Sequence, residues 1–109
     1  MILPGDMYLI AFPFKDDIFE SKARPVVVLR DEGNGLYLIA PVTGTNLTGK
    51  KDGLWISKDS DEGAKMKLQK DSFIVVDYTI KWPSFALWDY WGHCPCVNEL
   101  LKKLKKKSN

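Results

Sequence analysis

This chain has little histidine or cysteine and no long apolar run. Its 109 residues include 2 cysteines and 1 histidine. No stretch approaches the roughly 18 consecutive apolar residues of a membrane span, and residues 1–6 lack the basic region and apolar core of a signal peptide. The expected setting is therefore the cytoplasm, with no membrane partner. Cys94 and Cys96 are separated by a single residue, a spacing too tight for an ordinary unstrained disulfide, which argues against a disulfide scaffold of the secreted kind. Zinc is also a poor fit. His93, Cys94 and Cys96 supply three crowded ligands where zinc takes four in separated pairs, and the chain has no other His or Cys to complete the set. Packing at the start of a helix is the favoured role for this cluster, and no metal or cofactor is expected.

Internal repeats and linkers are also missing, so residues 1–109 are expected to form one domain. Hydrophobic residues make up 45% and charged residues 28%, a balance that permits a packed core and excludes disorder. The net charge is +2, yet Lys102, Lys103, Lys105, Lys106 and Lys107 carry five positive charges between them, so the remainder is net negative. The basicity belongs mostly to a tail, and net charge alone says little for a nucleic-acid partner. Lysines in the last turns of a helix complement its dipole. A solvated face is preferred to a grip on RNA or on an acidic membrane surface.

The chemistry-bearing residues stand beside apolar strands. Residues 7–14 alternate and follow the turn residues Pro4, Gly5 and Asp6, which predicts a first strand ending near Pro13. Residues 15–23 read as a polar loop. The run Pro25, Val26, Val27, Val28, Leu29 fits a buried strand, and Asp31, Glu32, Gly33, Asn34, Gly35 fit a hairpin turn. Residues 36–42 return as a third strand that delivers Thr43 at its end. Residues 49–53 read as a flexible loop, 54–57 as a brief strand and 60–65 as a helical turn. Residues 73–78 predict a strand with Phe73, Val75 and Asp77 on one face. A last strand is expected over 85–91, followed by a helix opened by Pro95 whose Val97, Leu100, Leu101 and Leu104 share a face. The whole predicts a small antiparallel barrel closed by a C-terminal helix.

Arg24 precedes an apolar strand that contains nothing to neutralise it, and Pro25 holds it in extended geometry. A planar, permanently charged fork in such a place suits phosphate. Neighbouring strands bring Arg24, Thr43 and Asp77 toward one rim. An arginine for phosphate, a hydroxyl for its oxygens and a carboxylate to take a proton suffice for metal-free RNA cleavage with the ribose 2′-OH as nucleophile. Each also has a plainer role. Arg24 serves equally as a surface residue capping a loop, Thr43 as a strand-end turn residue bonded to its own backbone, and Asp77 as an acceptor for a loop N–H or a partner for Arg24.

Gly5 and Asp6, the strand ending Phe12, Pro13 and Phe14, the run from Lys22 and Ala23 through Arg24 and Pro25 to Leu29, the quartet Ala40, Pro41, Val42 and Thr43, and the run Asp71, Ser72, Phe73, Ile74, Val75, Val76 and Asp77 occur in an order that resembles the MazF/PemK (Kid-like) toxins over most of the chain. The resemblance implies an SH3-like barrel, a homodimer, and a ribosome-independent endoribonuclease silenced by an antitoxin protein in a type II toxin-antitoxin system. It implies that Arg24 stabilises the transition-state phosphate and acts as general acid, that Thr43 contacts the same phosphate, and that Asp77 is a candidate base. Cleavage then leaves a 2′,3′-cyclic phosphate and a 5′-OH. RNA contacts fall to Lys15, Lys22, Gly44 and Lys81.

Many members carry a second arginine near the last core strand. Here the corresponding positions are Val75 or Ile80, with Lys81 the nearest cation, and Gly44 replaces a frequent serine. Trp82, Phe85, Trp88 and Trp91 replace a usually charged stretch. Packing, in the core, a dimer seam or an antitoxin groove, is favoured for these aromatics over base stacking. The missing arginine and the added aromatics motivate a second reading, a weak or inactive SH3-like barrel that binds protein or nucleic acid.

Overall fold

Among residues 1–13 and 23–107, which this computed structural model describes, the chain forms seven strands and two helices. They are β1 (Asp6–Ile10), β2 (Arg24–Gly33), β3 (Leu36–Thr43), β4 (Gly53–Ile56), α1 (Asp61–Lys65), β5 (Ser72–Val75), β6 (Ile80–Pro83), β7 (Tyr90–His93) and α2 (Val97–Lys107). The strands pair antiparallel in the order β4-β5-β3-β2-β1-β7, with β6 also against β3. The result is mainly β, a sheet curled into a half-barrel and accompanied by a C-terminal helix, which is compatible with a small barrel. No helix among the described residues is long and apolar enough to cross a membrane.

The two-residue period of a strand sends the apolar run of β2 to both faces of the sheet. Val27 and Leu29 enter one core with Met7, Ala40, Val42 and Ile74, where Leu100 and Leu104 of α2 cover them. Val26 and Val28 enter another with Tyr8, Ile10, Phe12, Ile39 and Leu87. All four residues of the run, 26–29, are completely buried. The apolar stripe of α2 faces the first core as its sequence predicts, with Val97 and Leu101 flanking the buried pair.

Local signals place the remaining joints. Asn34 and Gly35, at φ 57° and 76°, make the turn between β2 and β3. Both being positive is the signature of a two-residue hairpin turn of the primed kind. Gly33 at φ 83° accepts the bulge before it, and its N–H donates to Asp31 Oδ1 at 2.7 Å. Ser60 caps α1 by accepting from the Gly63 N–H at 3.0 Å, with Asp61 and Glu62 in the first turn.

The structure corrects five boundaries. The first strand stops at Ile10 rather than continuing toward Phe14, which lies outside the described residues, as does most of the loop predicted over 15–23. The second begins at Arg24 itself, because the extended backbone that Pro25 imposes pairs Arg24 with Ile10. The strand expected over 73–78 ends at Val75 and passes into a 3-10 turn, Val76–Tyr78, so Asp77 is a turn residue. The region expected to form one strand over 85–91 instead holds a 3-10 turn, Ser84–Ala86, before β7. Pro95 sits in the turn before α2, not at its first residue.

The 3-10 turn after Val75 has a topological reason. β5 pairs with Val42 and Thr43, and β6 pairs with residues 36–39, along the same edge of β3. Between them lie Ala40 and Pro41, and proline has no N–H to continue a ladder. The chain steps off the edge there and rejoins it at Ile80.

Leu100 is fully buried beneath the sheet. Leu100→Ala is expected to lower stability by about 2–5 kcal/mol, read as a reduced urea midpoint with unchanged slope. A loss below about 1 kcal/mol would contradict the placement of α2 over the core.

Candidate nucleic-acid interface

β2 begins at Arg24 and β3 ends at Thr43. The pairing of Val26 with Pro41 and Val27 with Ala40 carries these two residues to the same end of the ladder. Both are half-buried. Thr43 Oγ1 accepts from the Thr45 N–H at 3.3 Å, the local turn bond that strand-end threonines favour. The hydroxyl proton of Thr43 is still available to donate. Gly44 follows in the exposed loop.

A cation missed by the sequence reasoning stands at this end. A Cβ built on Gly44 would fall 2.6 Å from Lys70 Nζ, so the exposed Lys70 amine lies against the bare face of the glycine. The register explains it: Thr43 pairs with Phe73, and Lys70 sits three residues upstream in the segment leading into β5. No local signal marks Lys70. Only the pairing of β3 with β5 reveals it, together with the absence of a side chain at position 44.

Asp77 is placed differently. Its Oδ2 accepts from the Asp52 N–H at 2.7 Å, while the Val76 N–H donates to the Asp52 carbonyl at 2.9 Å. These reciprocal bonds tie the 3-10 turn after β5 to the approach to β4. Asp77 lies two strand residues and part of a turn beyond Phe73, the partner of Thr43. The plainer role of acceptor for a loop N–H is the one the geometry displays.

Lys81 pairs with Leu38, five positions along β3 from Thr43. At about 3.4 Å per residue that is about 17 Å of strand, which takes Lys81 toward the β2–β3 hairpin and away from the Arg24 end. Lys15 and Lys22 lie outside the described residues.

The His93, Cys94, Cys96 cluster resolves into two separate pairs. His93 Nδ1 is 3.2 Å from Asp6 Oδ1, and the Cys94 and Cys96 sulfurs are 3.2 Å from each other. Both cysteines are free thiols.

No family model matches the chain, and no curated protein matches it. Arg24 offers a rigid donor fork, Thr43 a hydroxyl and Lys70 a mobile point charge, a set suited to the oxygens of one or two phosphates.

The aromatic stretch divides in two. Trp82 packs on the second core and Trp91 on the first, in keeping with the packing role expected for them. Phe85 and Trp88 lie outside both cores: they are 85% and 80% exposed, with Tyr90 at 57%. The 3-10 turn at Ser84–Ala86 turns Phe85 outward, whereas Leu87 enters the second core.

Replacing Asp77 separates its structural bond from its charge. Asp77→Ala is expected to lose about 0.5–1.5 kcal/mol in chemical denaturation by removing the acceptor of the exposed Asp52 N–H. Asp77→Asn, whose amide oxygen still accepts, should lose less. Equal losses from the two variants would contradict the structural assignment.

Proposed function

We propose that the chain is a MazF/PemK-like toxin of a type II toxin-antitoxin pair, an SH3-like barrel that cleaves single-stranded RNA by 2′-OH attack without a metal. The observation that carries this reading is the delivery of Arg24 and Thr43 to one end of the β2–β3 ladder, with Lys70 against the adjoining Gly44. The Arg24 fork neutralises the charge that builds on the nonbridging oxygens as the 2′-oxygen adds to phosphorus. Thr43 donates to one of those oxygens, and Lys70 holds the same or the adjoining phosphate. Lys70 takes the place of the second arginine that Val75 or Ile80 does not supply. Catalysis in this scheme is mainly electrostatic: the 2′-OH gives its proton to water as its oxygen bonds to phosphorus, the P–O5′ bond breaks, and the departing 5′-oxygen takes a proton from water, while Asp77 positions the turn. The products are a 2′,3′-cyclic phosphate and a 5′-OH. A homodimer, an antitoxin protein partner and a cytoplasmic setting belong to the same proposal.

A second reading is supported by the exposed Phe85, Trp88 and Tyr90. Here the barrel binds nucleic acid or protein through these aromatic faces and has little or no activity.

Cleavage of a mixed-sequence RNA by purified protein in EDTA separates the two. The nuclease reading expects cyclic-phosphate ends from wild type and a loss of about 10²- to 10³-fold for Arg24→Ala. It also expects Asp77→Asn to stay within a few-fold of wild type, where loss of a general base costs about 10² or more. Absence of cutting by wild type, together with no growth inhibition on induction, would favour the binding module. For Lys70→Ala, the slope of log affinity against log salt should shrink by about 0.7, the contribution of one phosphate contact on a single strand. An unchanged slope would remove Lys70 from the site.

A further inference from the structure

The cysteine pair lies outside the phosphate site, and the proposed function makes no use of it. Its two backbones are held independently. The Cys94 N–H donates to the Gly5 carbonyl at 2.7 Å, fixing the end of β7 against the approach to β1. The Cys96 carbonyl accepts from the Glu99 N–H at 3.1 Å and the Leu100 N–H at 3.3 Å, which makes Cys96 the residue that opens α2. Pro95, between them, has a ring-locked φ. The two sulfurs therefore converge to 3.2 Å by construction of the fold. Cys94 is completely buried in the first core and Cys96 is half-buried at its margin.

The pair is chemically unequal. The hydrogen bond from the Cys94 thiol favours the thiolate at Cys96 and holds its pKa below the ordinary cysteine value, and the backbone at the start of α2 acts in the same direction. Glu99 and Glu62, together with partial burial, oppose this. The same bond pushes the Cys94 thiol well up, and burial adds to it. Cys96, half-buried at the margin of the core, is the sulfur a small disulfide can reach, and the buried Cys94 lies directly behind it.

We propose that Cys94 and Cys96 form a reversible thiol–disulfide exchange site for low-molecular-weight disulfides of the glutathione class, with Cys96 as the attacking sulfur and Cys94 as the resolving one. The Cys96 thiolate adds to one sulfur of the small disulfide, whose S–S bond breaks, and the departing thiolate takes up a proton. Cys96 now carries a mixed disulfide. With the Cys96 charge gone, the bond that held the proton on Cys94 is gone too. Cys94 attacks Cys96 Sγ as its proton passes to the departing sulfur, which leaves as the second small thiol. The protein loses two electrons and two thiol hydrogens, and the small disulfide becomes two thiols.

The short ring explains why such a bond would act as a switch and not as a staple. A loop this small removes little entropy from the unfolded chain, and a one-residue spacing is tight for an unstrained bridge, so the closed form is readily reduced again. Closure ties the end of β7 covalently to the start of α2, the helix that covers the first core.

The test equilibrates the reduced full chain with mixtures of reduced and oxidised glutathione, quenches with acid, alkylates and reads the intact mass. At the oxidising end, wild type should lose its two thiol hydrogens, accept no alkyl group, remain monomeric with respect to disulfides, and revert in excess reduced glutathione. Cys94→Ala should accumulate a stable glutathione adduct at Cys96, and Cys96→Ala should remain unmodified. The proposal is overturned if wild type keeps both thiols alkylatable or stalls as the glutathione adduct. It is equally overturned if wild type forms disulfide-linked dimers, or if folded Cys94→Ala takes up no glutathione. None of these outcomes depends on RNA cleavage.

Discussion

The register between β2 and β3 decides where the polar residues of this chain are delivered. Residues 26–29 of β2 are apolar toward both faces, so their pattern cannot by itself choose an alignment: a slip of one residue exchanges one buried side chain for another. The choice falls to the hairpin tip and the two bulges behind it. Gly33 pairs with Leu36 across the turn. The first irregularity, between Gly33 and Asp31, and the second, between Arg30 and Val28, each add one residue to β2. Without these insertions Arg24 would face Thr45; with them it comes to the level of Thr43. The bond from the Gly33 N–H to Asp31 and the positive φ values at Gly33, Asn34 and Gly35 thus act on a site at the opposite end of the ladder.

β3 carries the consequence outward. Its outer edge is shared by β5 and β6, and the gap at Ala40 and Pro41 separates two environments. On the Thr43 side stand Gly44, Lys70 and the end of β2. On the other side lie Lys81 and the hairpin. Cations that are close to one another in sequence, such as Lys70 and Lys81, are therefore sent to different ends of the same strand. Asp77 lies in the connecting turn, where its carboxylate closes the loop before β4.

Much of the fold could be read from the residues alone. The four-residue apolar run of β2, the Asn34 and Gly35 turn and the apolar stripe of α2 each carry a local physical signature, and each is found where that signature puts it. β6 carried none: a four-residue strand containing Trp82 and Pro83 depends on β3 for its existence. The end of β5 at Val75 was equally hidden, since Val76 and Asp77 continue an alternating pattern while the partner strand fails to offer a donor at Pro41. For the site, Arg24 and Thr43 were legible as polar residues at strand ends. Lys70 was not, because its approach to Gly44 exists only through a long-range pairing.

Phosphate binding at the Arg24, Thr43 and Lys70 end of the ladder is the proposal to test. An oligonucleotide lacking the 2′-OH binds without being cut, so a backbone and side-chain NMR titration with a short single strand of this kind reads binding alone. Saturable shifts are expected at Arg24, Thr43, Gly44 and Lys70. Shifts confined to Phe85, Trp88 and Tyr90, with Thr43 and Gly44 unmoved, would contradict it.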